Sequence, residues 1–270
     1  MERIEVIVTT MGQTDWSLYR TMNLQTDAFF ANQADACADE ETEIDGHRVR
    51  RLTTKTRGLA VNRDLALLHT DAEIVLFADD DQVFADGYEQ TVRDAFAAHP
   101  AADAIKFYCA SGNPARAMPN VDRFRPARLS DVMAGGVHAL AVRRALIEKH
   151  SLLFPIGMGA GRFYDCGEDS LFLKAMLDKR LGLYVSPVCL ASVRQEESTW
   201  FHGYTEHYFI TRGYLYAQLY GALADLAILR RAMRKADEAQ ESGFSFAKRV
   251  SLMREGVRRW RSRELTEDAK

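Results

Sequence analysis

Three consecutive aspartates, Asp79, Asp80 and Asp81, directly follow the most apolar run of the chain, residues 73–78. Adjacent carboxylates repel one another, so such a cluster is unfavourable unless a cation neutralises it. Mg²⁺ and Mn²⁺ prefer carboxylate oxygen and leave coordination positions open for substrate phosphates. The pattern therefore predicts that Asp79 and Asp81 bind a divalent cation. The alternative is a solvated turn in which one aspartate caps the next helix.

A second acidic pair, Glu168 and Asp169, follows a glycine-rich run at 157–161 and begins a helical pattern. Acidic side chains in the first turn of a helix offset the helix dipole, which is the structural alternative. In an enzyme that also holds a metal and a phosphate group, a carboxylate is needed as the base that activates an attacking hydroxyl. Glu168 and Asp169 are the candidates for this catalytic role.

The elements that must position these residues alternate between apolar runs and helical patterns. Helices are predicted at 58–69 and 86–99. The almost wholly apolar run 73–78 is typical of a strand buried on both faces of a parallel sheet. Alternating strands and helices predict an α/β fold with a Rossmann-like, mostly parallel central sheet flanked by helices, whose ligands bind at the carboxyl ends of the strands. The predicted strands are 4–8, 27–31, 48–52, 73–78, 104–109 and 183–190.

The second half of the chain is less regular. A helix is predicted at 170–180, before the last strand. From Gly213 to about Ala239 the pattern indicates one long helix, which is apolar and aromatic up to Leu229 and basic beyond it. The glycines at 135–136 and 157–161 indicate turns or positions where backbone segments approach closely.

Taken in order, these motifs resemble those of the inverting nucleotide-sugar glycosyltransferases of family 2, of the bacterial polysaccharide type, which have the GT-A fold. The resemblance runs from about Glu5 to about Tyr216. No single motif is specific to the family, whereas the ordered set is. The set comprises a first strand ending in Thr9-Thr10, then Arg57–Arg63, Leu76–Asp81, Ala134–Gly136, Gly159–Gly161 and Gly167–Asp169.

The resemblance implies an enzyme that moves a sugar, in the first instance a hexose from UDP, to a saccharide or lipid-linked saccharide acceptor in the synthesis of a cell-surface polysaccharide. It implies that Asp79 and Asp81 hold the donor diphosphate through Mn²⁺ or Mg²⁺ and that Asp169 is the catalytic base. His202 would add a metal ligand, with His207 as the other candidate. The implied nucleotide-sugar-binding residues are Thr9, Thr10, Asn32, Gly58, Arg63, Asp79, Asp80, Gly135 and Gly136.

Two departures from the family pattern concern the nucleotide. The first strand ends in Thr9-Thr10-Met11-Gly12, where the family usually has Pro-Thr-Tyr-Asn. The second strand usually ends in an aspartate that meets the base, and here Asn32 and Gln33 stand near that point. Their amides can pair with the edge of uracil, so Asn32 is retained as a candidate base-binding residue.

Two other functions fit part of the pattern. A nucleotidyltransferase that makes a nucleotide-sugar also combines a Rossmann-like sheet with acidic metal ligands. It usually has a glycine-rich basic loop after the first strand, whereas residues 11–14 contain one glycine and no lysine or arginine. A non-catalytic module that binds a sugar or a nucleotide is the alternative outside the enzymes. Turnover of a nucleotide-sugar distinguishes the enzyme from the module.

The composition is that of a globular protein, since 47% of the 270 residues are hydrophobic and 27% are charged. No run reaches the roughly 18 to 20 apolar residues of a membrane span, and the first residues lack a signal-peptide pattern. The four cysteines lie far apart with no Cys-x-x-Cys pair, which argues against a disulfide framework or structural zinc. These features lead us to expect a cytoplasmic protein.

The charge is unevenly distributed, because residues 229–263 carry eleven Lys or Arg against four acidic residues in a chain of net charge −3. Such a basic stretch with interleaved aromatic side chains can lie on the inner face of an anionic membrane. Alternatively, its apolar stripe packs on the protein itself or on a second subunit in a homo-oligomer. The acidic remainder, without a recognition motif, predicts no nucleic-acid partner.

We therefore expect a GT-A domain at 1–212, made of a nucleotide-binding half at about 1–110 and an acceptor half at about 111–212. A basic helical extension follows at 213–270.

Overall fold

The computed structural model describes residues 2–113, 118–133, 136–194, 201, 203–234 and 236–263. These residues divide into two compact units. The first unit comprises the described parts of Met1–Ile156 and Glu168–Glu197, and the second those of Gly157–Gly167 and Ser198–Lys270. The domain boundary expected at residue 212 stays a prediction.

The described part of the first unit contains a sheet of ten strands. They are β1 (Ile4–Met11), β2 (Asp27–Gln33), β3 (Ala38–Ile44), β4 (His47–Thr54), β5 (Ile74–Asp79), β6 (Gln82–Phe84), β7 (Ala104–Ser111), β8 (Arg125–Pro126), β9 (Leu140–Arg143) and β10 (Leu183–Val193). Their order is β3-β4-β2-β1-β5-β9-β7-β10-β6, with β8 paired to β10.

The direction of the strands confirms the predicted fold class. Neighbouring strands are parallel from β4 through β2 and β1 to β5, and β7 is parallel to β10. The short strand β9 lies between β5 and β7 and is antiparallel to both, so β5 and β7 run in the same direction. Six strands therefore share one direction, namely β1, β2, β4, β5, β7 and β10. Strands β3, β6, β8 and β9 were not predicted, and each of them pairs antiparallel with its neighbours.

Helices cover both faces of this sheet and bury two apolar clusters. In β5, Leu76 and Ala78 belong to one cluster, and Val75 and Phe77 belong to the other. The strand is therefore buried on both faces, as its unbroken apolar sequence predicts. The helices of the first unit are α1 (Ser17–Thr21), α2 (Leu59–His69), α3 (Tyr88–Ala98), α4 (Leu129–Met133), α5 (Arg144–His150) and α6 (Glu168–Asp178).

The acidic strand β3 forms a hairpin with β4 that hydrophobic patterning does not predict, because its sequence has no alternation of apolar and polar residues. Opposite charges instead face each other across the pair, including Glu40 opposite Arg51 and Glu41 opposite Arg50. Arg51 donates two hydrogen bonds to Glu40, at 2.9 and 3.0 Å. The hairpin thus depends on cross-strand charge pairs.

The second unit contains, among its described residues, α7 (Glu206–Tyr220), α8 (Ala224–Arg234), α9 (Ala236–Ser242) and α10 (Phe246–Ser262). The prediction of one long helix from Gly213 to about Ala239 is wrong. Helix α7 ends at Tyr220, and the capping residue Gly221 has a φ of 53°, in the left-handed region that glycine adopts most easily. A 3₁₀ turn, Gly221–Leu223, then leads into α8. None of the described helices is both long and apolar enough to cross a membrane.

Helices α7 and α10 cross in close contact at two glycines. A Cβ atom on Gly213 would lie 1.8 Å from the carbonyl oxygen of Met253, and one on Gly256 would lie 2.0 Å from that of Ile210. The apolar side chains of α10 that face inward are buried, namely Val250, Leu252, Met253 and Val257. This part of the basic segment therefore packs inside the second unit and is not available to a membrane.

Replacing Gly256 with alanine should lower the free energy of unfolding by about 1 to 3 kcal/mol, because the added methyl group overpacks the helix crossing. The same methyl would lie 2.6 Å from the backbone nitrogen of Tyr214. Chemical denaturation measures the change. The control is Gly157→Ala in the same unit, since a Cβ at Gly157 meets nothing within 4 Å. Equal stability of the Gly256 variant and the wild type would contradict the close crossing.

Candidate functional site

The three aspartates lie where β5 ends, next to the end of β1. Asp79 is the last residue of β5 and stands opposite Thr9 in the parallel register with β1. The Thr9 hydroxyl donates to Oδ1 of Asp79 at 3.2 Å, and the Thr10 hydroxyl donates to Oδ2 of Asp80 at 2.6 Å. We call Asp79, Asp80 and Asp81 the acidic turn. The two threonines predicted to bind the nucleotide-sugar therefore contact the acidic turn directly.

Gln82 fixes the backbone of this turn. Its side chain is fully buried, and its Oε1 accepts a hydrogen bond from the backbone nitrogen of Asp79 at 2.7 Å. Sequence analysis did not identify Gln82, although an amide side chain directly after three aspartates was a visible signal. The turn is held in place by neighbouring strands, which suits a site that must keep its carboxylates in a fixed arrangement.

Arg63, on helix α2, joins the acidic turn to the second acidic pair. Its guanidinium is 2% exposed and lies 2.9 Å from Oδ1 of Asp79 and 3.8 Å from Oε1 of Glu168, and it also pairs with Oδ1 of Asp169. Carboxylates that are far apart in the sequence thus share the buried guanidinium of Arg63. Arg63 was predicted to line the nucleotide pocket, and the structure places it as the ion-pair partner of these acids.

Arg63 also packs against a cluster of aromatic side chains. Its guanidinium carbon lies 5.3 Å from the centre of the Phe154 ring, within the range of a cation–π contact. Phe154 stacks on Phe172 with ring centres 4.1 Å apart, and both rings meet the edge of Phe77. The Arg63 guanidinium therefore packs on Phe154, which in turn packs against Phe77 of β5 and Phe172 of α6.

The acidic pair occupies the first turn of α6, as predicted. Oδ2 of Asp169 accepts a hydrogen bond from the backbone nitrogen of Val137 at 3.0 Å. A Cβ atom on Gly136 would lie only 2.5 Å from the same Asp169 oxygen and 2.9 Å from Nδ1 of His138. Only glycine at position 136 therefore leaves room for Asp169. This gives Gly136 a positioning role beside the acidic pair, and sugar binding by it stays a prediction.

Burial and neighbouring charges give the acidic side chains of the site different pKa values. Burial opposes the ionised form of Asp79, but Arg63 and His138 outweigh it and lower the pKa of this carboxyl. Burial raises the pKa of Asp80, and the charge of Asp79 adds to the effect. For Glu168, burial and the charge of Asp169 raise the pKa to about 8, against the attraction of Arg63. Burial therefore favours the neutral form of Glu168.

The carboxylates of Asp79 and Asp81 are the donors expected to bind Mn²⁺ or Mg²⁺. Among the described residues, no group of three or more His, Cys, Asp or Glu side chains is arranged to hold a metal. Arg63 and Thr9 both bond Oδ1 of Asp79, which leaves its Oδ2 for a further partner, and the Asp81 side chain is half-buried. Two carboxylates suit a cation that also binds substrate phosphate, rather than a closed protein site.

Four further residues were predicted to belong to the site. His202 and Gly135 lie outside the described residues. His207 lies in the second unit, with its Nε2 atom 4.0 Å from Asp165. Gly58 precedes α2 with a φ of 108°, and its carbonyl oxygen accepts hydrogen bonds from the side chain of Gln33 and the backbone of Asn62. Gly58 therefore fixes the start of the helix that carries Arg63.

Asn32 is fully buried and hydrogen-bonded within the protein. Its amide accepts from the backbone nitrogen of Gln13 and donates to the carbonyl oxygen of Gln13 and to Thr53, at 3.0 to 3.1 Å. Arg51 binds the same loop by donating to the carbonyl oxygens of Thr14 and Asp15. In this structure Asn32 holds the loop after β1, and its predicted contact with a nucleotide base stays a prediction.

His138 is a residue of this site that sequence analysis missed. Burial and the charge of Lys106 lower the pKa of its imidazole, while Asp79 and Asp169 act in the opposite direction. Burial likewise lowers the pKa of Lys106, against the attraction of Asp169. The sequence signal for His138 was its place two residues after a glycine pair and just before an apolar strand, near the carboxyl end of β5.

No model of a known protein family matches the chain, and no curated protein matches it in sequence. Solved structures do match. A crystal structure of S. aureus TarS 1–349 in complex with UDP-GlcNAc gives a TM-score of 0.60 at 14% identity, covering 99% of this chain and 95% of that chain. The complex of TarS 1–349 with UDP gives 0.59 at 13% identity, covering 98% and 93%.

A longer TarS structure gives a TM-score of 0.56 at 15% identity and covers 99% of this chain and 46% of that one. At such low identity the likeness shows the fold. It agrees with the α/β architecture described above and confirms the expected GT-A fold class.

Proposed function

We propose that this protein is a metal-dependent glycosyltransferase. It moves a sugar from a nucleotide-sugar to a saccharide or lipid-linked saccharide acceptor, with inversion at the anomeric carbon. One observation carries the proposal: the acidic turn and the Glu168–Asp169 pair meet on Arg63 at the carboxyl end of β5, where ligands of open α/β sheets bind. The complexes of TarS with UDP-GlcNAc and UDP support the choice of donor.

On the donor side, Asp79 and Asp81 are the residues that hold the cation. When bound, Mn²⁺ or Mg²⁺ supplies positive charge that offsets the charge developing on the leaving diphosphate. Thr9 and Gln82 keep Asp79 in place through hydrogen bonds to its side chain and backbone. Because Arg63 lowers the pKa of Asp79, this carboxylate stays ionised at neutral pH and is ready to bind a cation.

On the acceptor side, Asp169 accepts the proton of the attacking hydroxyl. Its two oxygens are oriented by Arg63 and by the backbone nitrogen of Val137, and each carboxylate oxygen has a second lone pair for the substrate. Burial raises the pKa of Glu168 and favours its neutral form, which makes it less suited than Asp169 to act on the substrate as a carboxylate. Double displacement needs a second carboxylate that faces the first across the sugar, whereas Glu168 adjoins Asp169 in the same helical turn, so we expect single displacement with inversion.

A non-catalytic nucleotide-sugar-binding module is the second candidate. The observation that favours it is that both oxygens of Asp169 already accept hydrogen bonds within the protein. The two candidates differ in turnover. Release of UDP from UDP-GlcNAc in the presence of an acceptor supports the enzyme, whereas donor binding without release, across a panel of acceptors, supports the module.

Removing the cation should abolish activity. We expect EDTA to stop UDP release and Mn²⁺ or Mg²⁺ to restore it. Asp81→Asn should weaken Mn²⁺-dependent binding of UDP-GlcNAc at least about tenfold, measured by calorimetry, which corresponds to about 1.4 kcal/mol. The control is Asp94→Asn, which changes an exposed aspartate of α3 in the same unit. Full activity in EDTA would remove the cation from the mechanism, and unchanged donor binding in the Asp81 variant would remove Asp81 from the cation ligands.

A further inference from the structure

Large apolar side chains are exposed along one face of α8 and the 3₁₀ turn before it. Leu223 is 64% exposed, Leu226 64% and Met233 70%. Arg230 and Arg234 are exposed as well. Residues 226, 230, 233 and 234 follow the i, i+4, i+7, i+8 spacing of a single helix face. We call these five residues the α8 face.

The opposite face of α8 anchors the helix in the second unit. Ala224, Ile228 and Ala232 are buried there. Asp225 forms an ion pair with Arg254 at 2.8 Å, and Arg231 donates to the hydroxyl of Tyr208 at 2.8 Å. The α8 face is thus the outer surface of a fixed helix, and its exposure does not come from a loose segment.

The charge of the α8 face is positive and uncompensated. Among the described residues, neither Arg230 nor Arg234 forms an ion pair, and the acidic residue at the start of α8, Asp225, is engaged by Arg254. Exposed leucine and methionine side chains beside unpaired arginines are typical of amphipathic helices that lie in the interface of an anionic bilayer. There the apolar side chains enter the acyl boundary and the guanidinium groups meet lipid phosphates.

We propose that the α8 face docks the protein on the surface of an anionic lipid bilayer. A second copy of the chain fits this face poorly, because a contact between two such faces would bring four arginines together with no acidic residue in either face. The apolar stripe of α10 is buried at Val250, Leu252 and Val257, and its two exposed aromatic side chains, Phe246 and Trp260, lie fourteen residues apart and form no continuous face. The proposal does not depend on the glycosyltransferase function, because it needs neither donor nor acceptor.

Co-sedimentation of the full chain with vesicles tests the proposal. Vesicles of phosphatidylcholine with phosphatidylglycerol should bind the protein at least about tenfold more strongly than vesicles of phosphatidylcholine alone, since each arginine near the surface adds favourable binding energy. Leu226→Gln/Met233→Gln and Arg230→Gln/Arg234→Gln should each reduce that binding at least about tenfold. These four side chains are exposed, so the variants should fold; circular dichroism and thermal melting check this.

Matched substitutions away from α8 serve as controls. Leu68→Gln changes an apolar side chain that is 69% exposed in the first unit, and Val188→Gln changes one that is 45% exposed. Both should leave vesicle binding unchanged. The proposal is overturned if the wild type ignores anionic vesicles, or if the α8 variants bind as well as the wild type. It is also overturned if sedimentation velocity shows a dimer that Leu226→Gln/Met233→Gln dissociates, because the face is then covered by a second copy.

Discussion

Replacing Asp169 with asparagine should lower kcat at least about 100-fold and leave the affinity for UDP-GlcNAc close to that of the wild type. Asparagine keeps the size of the side chain, and its oxygen can still accept a hydrogen bond from Arg63, but its amide cannot take a proton from an attacking hydroxyl. Initial rates of UDP release and calorimetric titration with the donor measure the two effects separately.

The control for this variant is Asp178→Asn, the same change at the other end of α6. Asp178 is exposed and pairs with Lys174 one turn earlier, at 2.6 Å, so we expect its loss to leave kcat unaltered. An unaltered rate in the Asp169 variant would reduce the acidic pair to its role in offsetting the dipole of α6. Loss of donor binding, with kcat measured at saturation unchanged, would instead move Asp169 to the donor side of the site.

Replacing Arg63 with methionine should lower the free energy of unfolding by about 3 to 5 kcal/mol, the usual effect of removing one partner from a buried ion pair. Methionine fills much of the space of the arginine stem, but it leaves Glu168 and Asp169, whose side chains are 8% and 19% exposed, without their shared cation. Denaturation in urea, followed by circular dichroism, measures the loss. Activity should fall with it, because Asp79 and Asp169 lose the group that orients both.

Arg20→Met is the control, since Arg20 is 70% exposed and pairs with Asp45, which is 63% exposed. Exposed pairs contribute about 0 to 1 kcal/mol, so this variant should be close to the wild type. The double variant Arg63→Met/Asp169→Asn should lose less stability than the sum of the single losses, because it removes one of the unpaired charges. Additive losses, or a loss below about 1 kcal/mol for Arg63→Met alone, would show that the cluster is not coupled.

Local sequence signals predicted the main elements around the site. Residues 73–78 are apolar without interruption, and a buried parallel strand is the element that needs such a run. Glu168 and Asp169 were placed at the start of a helix because acidic residues favour that position. In both cases the signal lies in a few consecutive residues, so the local sequence pattern is enough to predict the element.

The contacts that join these elements could not be predicted in the same way. Arg63 and Asp169 are 106 residues apart, and their ion pair exists only because α2 and α6 meet at one edge of the sheet. The β3–β4 hairpin depends on charges that face each other across strands, which a search for alternating apolar residues overlooks. The end of α7 at Gly221 depends on one left-handed backbone angle within a sequence that otherwise favours helix.

The loop after β1 has a consequence for the thermodynamics of ligand binding. Asn32 bonds both the amide and the carbonyl group of Gln13, and Arg51 bonds the two carbonyl groups that follow. The conformational entropy of this loop is therefore lost when the chain folds, and not when a ligand arrives. Each side chain that a ligand need not immobilise spares about 0.5 to 1.5 kcal/mol of binding free energy. A nucleotide that meets this edge of the sheet thus encounters a preorganised wall, and its affinity reflects the contacts it makes rather than the cost of ordering the loop.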